Sequence, residues 1–321
     1  MLLGTQWTEH MNKRAHSRIE WPSIAVIGVF SVLWLGVVLG HNALPWWFEL
    51  PALALLGAWH MSIQHEVLHG HPTHSDSVNT VLGFVPLSLY LPFLRYKECH
   101  IVHHRAELTH PNLDPESFYL DPLRWSRAGT LQRAYYGMLR TLAGRMMIGP
   151  FHNLGMSVFA ELQMCRRDRR IATIWSIHCA GALLLGWWLF EVIGFSPITY
   201  LLGFCIGGYS MTLMRSFAEH RAVADGTRSA VVLASAPMSL LYLNNNLHHT
   251  HHQLPALAWY DLPAAHRDIG ADAAAEHGAG LYRGGYWEIA RRYMFHQFCQ
   301  VDHPLMGPPE VSATASVGAP S

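Results

Sequence analysis

The chain has 321 residues, with 22 Lys and Arg against 22 Asp and Glu, so its formal net charge is zero when histidine is neutral. Apolar residues make up 50% and charged residues only 14%, where a soluble domain carries about 25% charged. That balance excludes the basic surface of a nucleic-acid binder and the apolar poverty of a disordered chain. With 23 His and 12 Trp, it points to a multi-pass membrane protein with a histidine-dependent site.

In chain order, residues 1–22 carry Lys13, Arg14 and Arg18 and no signal-peptide core, and are expected to form a cytosolic N-terminal segment. A helix needs about 20 apolar residues to span hydrocarbon, and four stretches offer them: Ser23–Gly40, Leu44–Ile63, Ile171–Phe190 and Pro197–Met214. Val78–Leu94 and Ala230–Leu243 are shorter or broken by Pro86, Pro92 and Pro237, and read as interfacial or re-entrant segments. In the middle loop, Leu131, Tyr135, Met138 and Leu142 recur at helical spacing between Arg127, Arg133, Arg140 and Arg145. That pattern reads as a helix on the membrane surface or an amphipathic helix on a cytosolic domain. Residues 304–321 are expected to be a disordered tail, which leaves one membrane domain over 23–303.

The short connections His41–Ala43 and Glu191–Ser196 contain no Lys or Arg; all 22 lie on the N-terminus, the long middle loop and the C-terminal region. The positive-inside rule places those three in the cytosol. The expected fold is therefore all-α: four transmembrane helices in two hairpins, both termini inside, with a cytosolic helical cap. In a bacterium this would be a protein of the cytoplasmic membrane.

Histidines cluster on that same side. His65 and His69 stand at i and i+4 at the end of the second crossing. His100, His103 and His104 repeat an HxxHH spacing that recurs as His248, His251 and His252, and His220 follows the fourth crossing. Such spacings put the rings of each box on one helical face. With 23 His in 321 residues, one HxxHH arises by chance about 0.1 times per chain, and two on the order of once in a hundred chains. Imidazole suits iron, copper, zinc and nickel, and nine candidate ligands exceed one metal's capacity, so two metals are implied. Iron fits a site that activates oxygen beside a membrane. Glu66, Glu219, Asp114 and Glu116 are the nearest candidates to accept from the ring N–H groups. Five scattered cysteines without a CxxC pair argue against a disulfide framework, a zinc ribbon or an iron–sulfur cluster.

HExxHG, HxxHH, AEHR and NNLHxxHH followed by Pro-x-x-x-Trp-Tyr resemble the membrane fatty acid desaturase family, whose relatives include alkyl hydroxylases and carotenoid ketolases. The resemblance spans roughly residues 20–265. It implies a cytosolic di-iron site, dioxygen as oxidant, a fatty acyl substrate, and electrons from a separate donor of ferredoxin, rubredoxin or cytochrome type. The implied ligands are His65, His69, His100, His103, His104, His220, His248, His251 and His252, with Asn244 and Asn245 in supporting or water-mediated roles. The first box has three intervening residues where some members have four. No fused haem or ferredoxin module is evident, and His303-Pro304-Leu305 does not match the haem motif His-Pro-Gly-Gly.

Other residues read as supporting structure. His71 and His74, beside Pro72, look like surface polar residues, and His249 faces away from its neighbours. His60 and His178 read as hydrogen-bonded core histidines, and Trp59, Trp175, Trp187 and Trp188 as packing or interface anchors. Three functions stay open at this point: a desaturase, a hydroxylase or ketolase of the same chemistry, and a non-catalytic metal-handling membrane protein. The last predicts ligands within the bilayer along a pathway.

Overall fold

The computed structural model describes residues 19–306. The expected N-terminal segment up to residue 18, and the expected tail from residue 307, lie outside the described residues. Helix α1 (Trp21–Gly40) opens with Pro22 in its first turn, where the missing N–H costs nothing. Its Val29, Val32, Leu33 and Leu39 point outward and exposed, a surface that lipid tails solvate as well as a protein core would.

Helix α2 (Trp46–Leu68) has 23 residues and is therefore about 34 Å long. After a short helix α3 (Asp76–Phe84) and an irregular turn, α4 (Phe93–Arg105) carries the second histidine box. Helices α5 (Pro122–Ser126), α6 (Thr130–Leu139), α7 (Leu142–Met147) and α8 (Gly149–Arg167) make up the middle region. Helix α9 (Arg169–Trp187) runs on into a π-turn at Trp188–Val192. Helix α10 (Pro197–Ser216) contains a π-helical stretch at Leu201–Gly207.

Three described helices combine the length and apolarity to cross a membrane: Trp21–Ala43, Arg169–Val192 and Pro197–Ser216. Helix α2, the expected second crossing, has the length, but its second half carries buried His60, Gln64, His65 and Glu66. The helix that bears the first box gives up apolarity to present a polar face to the protein interior.

What α2 packs against explains how that face is tolerated. A Cβ on Gly57 would stand 2.2 Å from the Phe204 carbonyl oxygen, and one on Gly208 would stand 2.6 Å from Gly57 Cα. Helices α2 and α10 therefore meet backbone to backbone, the close approach that small residues permit between membrane helices. His60 lies beside Phe30 of α1 and Phe204 of α10, with ring centroids 5.6 and 5.8 Å away. His178 Nε2 donates to the Leu89 carbonyl at 3.0 Å. Both are buried in the core; His178 is hydrogen-bonded as expected, whereas His60 Nδ1 is buried without a hydrogen-bond partner.

Two sequence expectations change. The middle-loop pattern is two helices rather than one: Thr141 accepts from Gly144 N at 3.0 Å and starts a new helix. At that break Arg140 turns inward, 4% exposed, and donates to the Phe118 and Val301 carbonyls, while Leu131 is 86% exposed. Val78–Leu94 and Ala230–Leu243, expected as interfacial or re-entrant segments, fold as short elements. Gln64 Nε2 donates to Gly83 O at 2.9 Å, tying α3 to α2. The second stretch supplies β1 (Val231–Val232) and helix α11 (Ala236–Leu241).

The C-terminal part continues with α12 (His248–Gln253), α13 (Leu262–Asp268), α14 (Ala271–His277), β2 (Leu281–Tyr282) and α15 (Gly285–Tyr293). Strands β1 and β2 pair in parallel, Val231 with Leu281 and Val232 with Tyr282.

Gly57→Val should therefore overpack the α2–α10 contact by about 1–3 kcal/mol and lower the melting temperature of the detergent-solubilised protein. Gly28→Val, with nothing within 4 Å of the added Cβ, should leave it nearly unchanged.

Candidate metal centre

Each histidine box reaches the centre from a different element. His65 and His69 lie at the end of α2, where His69 is the capping residue. The α4 box is fixed by Arg95, whose buried guanidinium donates to both oxygens of Glu161 on α8 at 2.9 Å. Trp175 Nε1 of α9 donates to the same carboxylate at 2.7 Å. His220 sits just beyond α10 in a short extended pairing with Ser229.

Helix α12 is pinned by β1. Val232 N donates to Asn246 O at 2.9 Å, Asn246 Nδ2 returns to Val232 O at 2.8 Å, and His249 N donates to Ala230 O at 3.0 Å. Before it, Leu243 and Asn244 take φ values of 46° and 56°, a left-handed turn that Asn tolerates better than most residues.

The nine histidines fall into two groups. Ring nitrogens of His65, His69, His100, His104 and His251 lie within 4.8 Å of one another, and those of His103, His220, His248 and His252 do likewise. Helical spacing explains the division. Each i, i+4 pair (His65/His69, His100/His104, His248/His252) stays in one group. The remaining member of each HxxHH box, His103 or His251, turns to the other. The groups touch where His104 and His252 stack, with ring centroids 4.3 Å apart.

Partners of the other ring nitrogens reveal what the centre holds. His103 Nδ1 donates to Asp114 at 2.7 Å, His100 Nδ1 to Glu116 at 2.6 Å, and His220 Nδ1 to the Arg228 carbonyl at 3.3 Å. His248 Nδ1 donates to Asn245 Oδ1 at 3.1 Å. A neutral imidazole with its proton on Nδ1 leaves only a lone pair on Nε2.

Yet the Nε2 atoms of His103 and His220 stand 3.1 Å apart, those of His220 and His248 2.9 Å, and those of His248 and His252 3.1 Å. In the first group, Nε2 of His104 is 3.0 Å from that of His100 and 3.1 Å from that of His251. Two nitrogens bound at right angles to one metal, about 2.1 Å from each, stand about 3.0 Å apart. His65 Nε2 and His69 Nε2 are buried without a hydrogen-bond partner. The donor set fits metal ions.

Electrostatics keep most of these rings available. Burial, reinforced by neighbouring His103, pushes the His220 imidazole down to about 3. His103 is the exception: burial opposes its charge, but Glu116 and the bonded Asp114 push it up to about 9. A metal there competes with that proton. Burial pushes the Glu219 carboxyl up to about 7 against the pull of Arg215.

The carboxylates and amides singled out in the sequence divide as well. Asp114 orients His103 and also accepts from Thr109 N and Glu116 N, each at 2.9 Å, so it shapes its own turn while serving the ring. Glu219 Oε1 lies 3.5 Å from His248 Nδ1 and 3.4 Å from Arg215 Nε. Asn245 meets His248, but Asn244 donates to the Trp259 carbonyl at 2.9 Å.

Glu66 accepts from Trp259 N at 2.9 Å and takes no part in either histidine group. His249, off both groups, bonds Thr227 and Ser229 at 2.9 and 3.0 Å. His71 departs from its expected surface position: it is buried and bonded to Glu20.

A support the sequence did not suggest is the chain Asp272–His266–Thr250. His266 Nε2 donates to Asp272 at 2.9 Å, which leaves Nδ1 to accept from the Thr250 hydroxyl at 2.8 Å. Thr250, fully buried on α12, is thereby held from the side opposite the metal groups. Eighteen residues separate His266 from the first histidine of that box, with no motif to link them.

Among curated proteins, none matches this sequence. The family model for fatty acid desaturases matches residues 44–284, well over half of the chain and inclusive of all nine histidines. The chain belongs to the fatty acid desaturase family.

Proposed function

We propose that the protein is a membrane-bound, O2-dependent desaturase that introduces a double bond into a fatty acyl chain at a centre of two iron ions. One observation carries the reading. Two adjacent groups of histidines bring Nε2 atoms within 2.9–3.1 Å of one another, and between His220 and His248, whose Nδ1 protons are held by oxygen acceptors, two lone pairs face each other, an arrangement that a cation relieves. His65, His69, His100, His104 and His251 are assigned to one iron, and His103, His220, His248 and His252 to the other.

Bound there, the two irons would supply the dioxygen activation and oxidising power that an unactivated C–H bond requires. The balanced reaction removes two vicinal hydrogens from the acyl chain. With one O2, two electrons and two protons, it yields the alkene and two waters. The residues of this chain hold and orient. Asp114, Glu116, Asn245 and the Arg228 carbonyl fix the ring tautomers, and such partners are typically worth 10- to 100-fold in metal affinity.

The positive-inside rule supports a topology of four crossings, with α2 as the second, in which the histidines face the cytosol. A metal-handling carrier would need its ligands along a transmembrane pathway; here they gather at helix ends and in the segments after α10. Arg124, Arg127, Arg133, Arg166, Arg167 and Arg170 give the same face a basic surface for an acidic electron donor.

His251→Ala should lower bound iron and abolish turnover, and Asp114→Asn should weaken iron binding by about 10- to 100-fold. His249→Ala should do neither. Iron content of the purified variants checks all three, and a fully loaded, active His251→Ala protein overturns the assignment. In a host expressing the protein, a mass-spectrometric lipid profile should show an acyl species lighter by two mass units, absent with His251→Ala. A species heavier by 16 would assign a hydroxylase instead. Turnover with a purified donor protein should fall as salt rises, because electrostatic steering is screened; salt-independent turnover would count against docking on the arginines.

A further inference from the structure

Glu20, Glu66 and His71 form a third group of donors, outside the two histidine groups, with donor atoms within 4.8 Å of one another. His71 is only 6% exposed. Its Nδ1 stands 2.8 and 2.9 Å from the two Glu20 oxygens. A carboxylate accepts, so this nitrogen carries a proton and Nε2 is the atom turned toward Glu66. That Nε2 is buried without a hydrogen-bond partner. Glu66 Oε1 faces it at 3.9 Å, beyond hydrogen-bonding reach. Both side chains line a cavity of about 10 Å³ with Ser23, Ile27 and Trp259, room for one water-sized occupant.

The protein uses the same arrangement elsewhere. At His100 and His103, Nδ1 donates to Glu116 and Asp114, and Nε2 turns toward a group of donors. A carboxylate on one ring nitrogen of a histidine commonly orients the other toward a metal. Charge favours a cation over a water. Among the described residues, the ion-pair contacts of Glu20 and Glu66 are to His71 alone, and Asp261 acts on His71 as a further negative charge. Carboxylates this buried call for a compensating positive charge. A protonated His71 would still leave its Nε2 proton 3.9 Å from Glu66. Two donor–metal distances of about 2.1 Å reach across that gap.

We propose that His71 and Glu66 bind a third divalent cation of the first transition row, with Glu20 orienting the imidazole and water completing the coordination. Imidazole and carboxylate donors suit zinc or iron(II). The cation would fasten the start of α1 to the segment that follows the first histidine box, where Glu20 N already donates to Pro72 O at 3.0 Å.

The test is a metal count on the purified full chain, stripped, titrated with zinc(II) alone and desalted. Three zinc per chain are expected in the wild type and two in His71→Gln. Glu20→Gln, whose side chain belongs to neither histidine group, should weaken the third equivalent by about 10- to 100-fold while keeping the other two; it decides the matter if His71→Gln does not fold. Two zinc in the wild type, as when water fills the cavity, overturns the proposal, and so does a third equivalent that survives His71→Gln. One zinc that His71→Gln removes and His251→Ala spares would support this site while overturning the paired histidine centre.

Discussion

The lone pairs of buried His220 and His248, facing each other 2.9 Å apart with both Nδ1 protons held by oxygen acceptors, set the terms for everything else in this molecule. Such nitrogens are stable only around cations, and the cations are gained only if the rings are neutral, correctly protonated and held. Each requirement has its own device. Burial keeps His220 neutral. Carboxylates, an amide and a backbone carbonyl draw the proton to the far nitrogen of His103, His100, His248 and His220. Helical i, i+4 spacing then delivers rings in pairs, so few elements are needed to assemble nine ligands.

Charge follows from the same constraint. Neutral imidazoles would leave the full charge of any metal they hold uncompensated in a buried site. Asp114, Glu116 and Glu219 surround the rings with negative charge one layer out, and the buried Arg215 sits 3.4 Å from Glu219. Carboxylates in that outer layer lower the electrostatic strain of metal binding without competing for the coordination positions. His103, next to both Asp114 and Glu116, shows the strength of that field: despite burial its imidazole is pushed up to about 9.

That the boxed histidines would gather was legible in the sequence because short-range helical geometry favours it, a ring three or four residues from another sharing its face; His220 rested on the family resemblance alone. How the rings divide between two groups was not legible, since that depends on how α4 and α12 approach each other in space. Asp114 and Glu116 stood out as acceptors, and Asp114 both meets a ring and shapes its own turn. Glu66 was misjudged because adjacency to His65 on a helix means pointing about 100° away from it, so it faces Trp259 and His71 instead of the histidine groups. His71, beyond the helix end, is buried because the start of α1 brings Glu20 onto it, a tertiary contact that sequence spacing does not show. The Thr250–His266–Asp272 chain left no trace in the sequence because tertiary packing alone brings it together. The break at Arg140 escaped the periodic pattern because the second helix begins at once after Thr141, leaving no polar gap in the sequence to mark it.

Helix α2 bears the conflict between membrane and site most directly. A helix exposed to lipid cannot carry His60, Gln64, His65 and Glu66 on its outer face, and a helix in the protein interior has no need of the apolarity that marks a span. Gly57 and Gly208 resolve this by letting α2 and α10 approach to backbone contact. Phe30 of α1 and Phe204 of α10 enclose the polar half from two sides, while Gln64 finds a carbonyl on α3. The price in hydropathy is that α2 falls outside the apolar helices. Hydropathy thus marks α2 least where it carries the histidines, because those positions face the protein interior.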